Sequence, residues 1–351
     1  MLLLVPLCWG TYNPSLRLLY SLPEPPSPAE VSGVRLSIAV LPYLQTLRAA
    51  AAAAAPAVQA RGGEKRVTPP PQGDISGVAG APDDETDWAA VSAASLELGL
   101  FNLLGTAGQA WGLEHTSAVH AAVLLSSINV MVPLGASLSG ERVRPTTWLA
   151  CALVLFGISL LNADIADSPA DAAAMGISPG DAAVLFAAAS YSAYTVRLST
   201  YAKRVSILPL SAGKTAVLGV GCITWAAADA LRAHGTHAMG LGDAAHVSGL
   251  WGAAGPDVTL VAWLCLTFSA LVPGSLATFL QAKGQSGVTA PEAQVILALT
   301  PVVSVCIAAA LLGERIGPNV LQAGGVMLGA TALCIAADVR AGAGKRGLNE
   351  S

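Results

Sequence analysis

Ten apolar runs, each near the length of a membrane-spanning helix, constrain this chain more than any single residue does. A helix needs about 20 apolar residues to cross a bilayer. The runs fall at 2–20, 31–48, 94–113, 117–139, 146–163, 180–199, 207–230, 258–281, 290–312 and 318–337. A soluble fold of this size would carry roughly 25% charged residues over its surface. Here 11% of 351 residues are charged and 54% are hydrophobic, so lipid is the natural solvent. The expected class is an all-α membrane protein of ten transmembrane helices.

Composition closes several other routes. A net charge of −4 with 5% aromatics gives no basic footprint for nucleic acid. The six cysteines stand singly, without a CxxC pair, and read as small buried hydrophobes rather than a zinc site or disulfide framework. No histidine pair has metal-ligand spacing on one helix face, and no HExxH, GxSxG or carboxylate dyad occurs. No metal, cofactor or enzyme activity is expected.

Two segments interrupt the pattern. Residues 49–87 hold an alanine run, then Pro69-Pro70-Pro71 and Asp83-Asp84-Glu85, and read as a flexible cytoplasmic insert. The alanines can prolong the second helix. Residues 232–257, rich in Gly and His, read as a second long loop.

Positive residues favour cytoplasmic loops. The even-numbered connections and the C-terminal tail hold twelve, from Arg48 to Arg346, whereas the odd ones hold only Arg232 and Arg315. Both termini are therefore expected on the cytoplasmic or equivalent side. The chain begins abruptly in an apolar stretch, which leaves room for an upstream segment such as a transit peptide and is compatible with a plastid membrane among others.

A shift of 173 residues lays 116–145 over 289–318 with ten of thirty positions identical. The matches include Thr116/Thr289, Gly140-Glu141-Arg142 over Gly313-Glu314-Arg315, and Pro145/Pro318. Each half then holds five spans, an odd number, so the two copies cross the membrane in opposite directions.

These residues resemble the EamA-type drug/metabolite transporter family. Trp9-Gly10, Thr116-Ser117-Ala118, the two Gly-Glu-Arg triplets and the Gly-rich helices after them (Gly157; Gly324, Gly325, Gly329) carry the likeness. Glu97-Leu98-Gly99-Leu100 looks like the plant, algal and cyanobacterial branch. The resemblance implies two inverted five-helix repeats: 1–163 with its insert, a connecting loop at 164–179, 180–339, and a tail at 340–351. It implies alternating-access transport of a small polar or amphipathic metabolite. The rival reading is a non-transporting receptor or assembly protein on a degenerate transporter fold. The family often has a glutamate before the proline of the ninth span; here Thr300 precedes Pro301.

Polar residues at mid-span are the candidate solute pathway: Gln109, Ser127, Asn129, Tyr194, Thr300 and Ser304. Such groups replace water around a solute, although small polar residues also simply join helices. Glu97, a few residues inside the third span, is a candidate coupling carboxylate or a group reaching lipid headgroups. Glu141 and Glu314 are expected to orient the turn into the next helix, offering acceptors to its first amides. Lys214 is expected to snorkel to the interface. Gly108/Gly112 and Gly325/Gly329 have GxxxG spacing, the second pair on the last helix, where a homodimer contact is expected.

The ten-span count and the charge bias make one joint prediction. Tags at the two ends, probed by protease in sealed vesicles, should be protected together. Opposite accessibility would overturn the count.

Overall fold

The computed structural model describes residues 1–22, 28–60, 87–116, 121, 124–163, 178–233, 256–312 and 318–349. Within them the chain is helical and without strands. Fourteen α-helices follow in order among the described residues. They are α1 Leu4–Gly10, α2 Tyr12–Tyr20, α3 Pro28–Val40, α4 Leu44–Ala60, α5 Trp88–His115, α6 Ile128–Leu138 and α7 Pro145–Ala163. Then come α8 Pro179–Tyr201, α9 Ile207–Ala233, α10 Pro256–Ser269, α11 Ala277–Gln285, α12 Ala290–Leu297, α13 Thr300–Leu312 and α14 Pro318–Asn349.

Several apolar runs are thus divided. The first breaks at Thr11, and the second passes through a 3₁₀ turn at Leu41–Tyr43 that contains Pro42. A π-turn at Ala270–Leu276, with Pro273 inside it, links α10 to α11. The alanine run does lengthen a helix, α4, while nearly all the rest of the insert expected at 49–87 and most of the loop expected at 232–257 lie outside the described residues. Local chemistry sets two starts. Asp87 caps α5 by accepting from the Ala89 and Ala90 amides, and Ser178 with Asp181 forms a capping box on α8.

Trp88–Leu113, Ile207–Ala228, Val258–Gln285 and Ala290–Leu311 are long and apolar enough to cross a membrane, and three shorter helices are similarly apolar. Their outer faces carry Leu96, Leu100, Val220, Leu260, Leu264 and Leu321, and α8 adds Phe186, all exposed. A belt of that size suits lipid and would be a liability in water. The protein is an integral membrane protein.

Inside, small residues bring helices close. A Cβ added to Gly112 of α5 would stand 2.6 Å from Val184 Cγ2 and 3.0 Å from the Gly180 carbonyl oxygen of α8. Gly105 packs on the Tyr191 ring and Gly108 on Ala183 along the same interface. The α7–α14 pair closes similarly, with Gly157 against Met327. At the end of the bundle bearing Arg144, Lys203, Arg204 and Lys283, here the basic end, Ala94, Leu98, Tyr194, Leu198, Leu210 and Ala282 form one core. Leu2, Val5, Ala277, Ala293 and Ile296 form another.

The GxxxG pairs differ in surroundings, since nothing lies within 4 Å of a Cβ added at Gly325 or Gly329. Overpacking costs about 1–3 kcal/mol, more than the roughly 1 kcal/mol that alanine gains over glycine in a helix. Gly112→Ala should therefore lower the melting temperature in detergent, whereas Gly325→Ala should leave it equal or slightly raised. Equal losses in both would refute this packing.

Candidate functional site

A cavity of about 580 Å³ lies between α1, α5, the α6 and α12–α13 breaks, α7, α8 and α11. That volume suits a small metabolite. Gln109, Asn129, Tyr194 and Thr300 line it, together with Trp9, Tyr191, Gln281 and Gln294. Ser127 and Ser304 are not among its lining residues. The Ser127 hydroxyl is 3.8 Å from Met131 Sδ, and Ser304 is buried where Gly10 of α1 meets α13.

The two repeat-related spans break beside this cavity. The chain turns at Ser126-Ser127 before α6 and at Ala298-Leu299 between α12 and α13. Under the 173-residue shift, Ser127 overlies Thr300 and the turns are one residue out of step. In the second, Pro301 brings no N–H to the Leu297 carbonyl. The Thr300 hydroxyl donates to that carbonyl instead, at 2.6 Å. In the first, the Asn129 side-chain amide donates to the Ser126 carbonyl at 3.0 Å. Gln294 Nε2 then donates to Asn129 Oδ1 at 3.2 Å, joining the two breaks.

Tyrosines complete the wall. Tyr191 OH donates to Gln109 Oε1 at 3.2 Å, and Tyr194 OH donates to Gln281 Oε1 at 3.1 Å. Trp9 Nε1 donates to the Pro273 carbonyl of the π-turn at 3.1 Å, and Gly10 beside it lets α1 close on Val303. That pairing gives the Trp9-Gly10 motif a structural use.

Three expectations need correction. Lys214 is 2% exposed, with its Nζ 2.5 Å from Tyr194 OH, because α5 and α11 pack on its helix and Tyr194 of α8 covers its ammonium. It does not reach the interface. Among the described residues Glu141 Oε2 is buried without a partner rather than bonded to the next helix's amides, and the sharp turn is made by Gly140 at φ +85°. Gly313, Glu314 and Arg315 lie outside the described residues. Glu97, finally, reaches neither the cavity lining nor open lipid headgroups alone. It holds Arg197 in a two-point ion pair, one contact at 2.8 Å, and accepts from Tyr201 OH.

Sequence reasoning missed Gln281 and Gln294, which sit at the edges of their apolar runs. The usable signal was Gln281 and Gln285 at i, i+4, a polar stripe at the end of an apolar helix. Among the described residues no cluster of His, Cys, Asp or Glu could hold a metal. The amide link between the two breaks is measurable. A double-mutant cycle of Asn129→Ala and Gln294→Ala should give a coupling of about 0.5–1.5 kcal/mol in unfolding free energy. Strict additivity would remove the link.

Residues 178–336 match the EamA-like transporter family, from the cap of α8 into α14. No curated protein matches the chain. Chains of solved structures do. One crystal structure aligns over 97% of this chain and 96% of that one, with a TM-score of 0.59 and 16% identity, a likeness of fold alone. The broken span α12–α13, the π-turn helix and the wall of α8 all fall within the matched segment. Over residues 178–336, a little under half of its length, the chain is similar to the EamA-like transporter family.

Proposed function

We propose that this protein is a transporter moving a small polar or amphipathic solute through the 580 Å³ cavity by alternating access between two inverted five-helix halves. The observation that carries the reading is the pair of repeat-related helix breaks meeting at one polar cavity. Broken helices at membrane depth are tolerated where they line such a space. The halves are 1–163 and 180–339, with 164–179 between them and both termini on the cytoplasmic side.

Packing supports the inverted relation. Exchanging each span with the one five later turns α5–α8 into α1–α11 and α2–α10, turns α5–α9 into α3 against α10 and the π-turn, and turns α6–α8 into α1–α13. All of these pairs are in contact. The exchange fails in an informative place. At the basic end α8 packs on α11 and α12, and α9 on α11; comparable packing does not join α1 or α3 to α5 among the described residues. That asymmetry suits a state closed at the basic end, with the cavity reaching toward Leu113 and Ala121 at the other.

The pathway in this reading is Gln109, Asn129, Tyr194 and Thr300, joined by Gln281 and Gln294. Ser127 and Ser304 serve the breaks around it. Proteoliposomes should take up a member of an amino-acid, nucleobase and organic-acid panel. Alanine at Gln109, Asn129, Tyr194 or Thr300 should then slow uptake several-fold, each lost hydrogen bond being worth about 0.5–1.5 kcal/mol, while the amount of folded protein holds. Four variants as active as the parent would remove this pathway.

A further inference from the structure

The cavity lining carries no charged side chain, yet one buried cation stands directly behind it. Lys214 is 2% exposed, and its only hydrogen-bond partner among the described residues is the Tyr194 hydroxyl. Its Nζ also lies 5.0 Å from the centre of the Tyr194 ring. An ionisable residue at such depth is expensive and calls for a named counter-charge. The neighbouring helices offer none. Glu97 of α5 is taken by Arg197 and Tyr201 of α8, Lys283 of α11 lies over the Phe279 ring, and Arg35 of α3 lies over the Tyr12 ring.

The amides around the cavity have a matching bias. The carbonyl oxygens of Gln109 and Gln281 each receive a tyrosine hydroxyl, and that of Asn129 receives Gln294. The oxygens of these three amides are thereby engaged by the protein, whereas Gln294, whose NH₂ is spent on Asn129, keeps its oxygen as an acceptor. The NH₂ groups of Gln109 and Gln281 are left as donors for a solute. A donor-rich wall backed by one cation suits an acceptor with one negative charge. A dianionic phosphate would ask for more cations than this wall holds.

We propose that the cavity takes a small monocarboxylate, with Lys214 as its counter-charge acting through Tyr194. The carboxylate accepts from the Tyr194 hydroxyl, which turns from Gln281, and from the freed Gln281 amide. Lys214 stays behind the ring and holds the phenol oxygen. Lys214 is thus a positioning residue. This inference rests on the cavity being the solute site.

Benzoate and benzamide are near-isosteric and differ by one charge, so they separate the anion site from a merely polar one. The purified full chain in detergent should bind benzoate more tightly than benzamide. Lys214→Met should weaken benzoate about 10- to 100-fold, as expected for loss of a charge-assisted bond, and leave benzamide nearly unchanged. Lys214→Arg should keep the preference, and Tyr194→Phe should lose it; these two carry the test if Lys214→Met does not fold. Equal affinity for the two solutes, binding of neither, or a preference that survives Lys214→Met or Tyr194→Phe would overturn the anion site. Benzoate binding without flux across proteoliposomes would instead overturn the transport reading and leave the anion site standing.

Discussion

A backbone inside a bilayer must satisfy its own hydrogen bonds, because lipid supplies neither donor nor acceptor. The rest of this structure follows from where that requirement is met by helix alone and where side chains take over. Along α5, α8 and α9 the helical ladder suffices, and the outer faces are free to be Leu, Phe and Val. At the α6 and α12–α13 breaks it does not. There the Thr300 hydroxyl supplies the missing donor to the Leu297 carbonyl, and the Asn129 side-chain amide adds a second donor to the Ser126 carbonyl beside its own backbone N–H. Residues that support the broken backbone thus line the polar cavity of the bundle. Repair and cavity are one arrangement, since a break without polar side chains would be too costly and a cavity without a break would offer only apolar walls.

How much of this was legible depends on whether the signal was local. The Thr300-Pro301 pair is local: proline removes a donor at a known position, and the 173-residue repeat carries the inference to Ser127 and Asn129. Gln109 and Tyr194 are legible because an amide or phenol at mid-span has few places to go except inward. Lys214 was illegible for the opposite reason. It lies one to two turns into α9, where a lone lysine ordinarily reaches the interface; only the packing of α5 and α11 on that helix, with Tyr194 of α8 over the ammonium, buries it. Glu141 failed in another way. Its motif predicted capping, but the tight turn needs only Gly140 at positive φ, which leaves the carboxylate without a task that the described residues show.

Charge shows the same division between local and tertiary information. Glu97, read alone, is a carboxylate in a span and invites a coupling role. Arg197, read alone, is a cation in another span. The two become ordinary once α5 and α8 lie side by side, since each is the other's partner and Tyr201 donates to the same Glu97 oxygen that Arg197 Nη2 holds. Their sum is neutral at the site, which leaves Lys214 as the buried cation without a carboxylate beside it.

Strengths of contact then suggest which helices move together in the proposed exchange of access. The α5–α8 interface is made of backbone approach at Gly108, Gly112 and Gly180, where even a methyl group would collide, and it is tied further by the Glu97–Arg197 pair. Rigid packing of that kind breaks at large cost, so α5 and α8 travel as one body. Contacts from this body to α11 and α12 are of another order. Tyr194 to Gln281 is a single neutral hydrogen bond, worth about 0.5–1.5 kcal/mol. Arg144, which precedes α7 and belongs to neither α5 nor α8, meets Glu292 of α12 in an ion pair at 3.8 Å with the arginine 42% exposed, and such pairs contribute at most about 1 kcal/mol. Opening the basic end by parting α8 from α11 therefore costs a few weak bonds and some apolar surface, whereas parting α5 from α8 would dismantle a core. The cheaper cut passes between Tyr194 and Gln281, the same two side chains that stand between the cavity and Lys214.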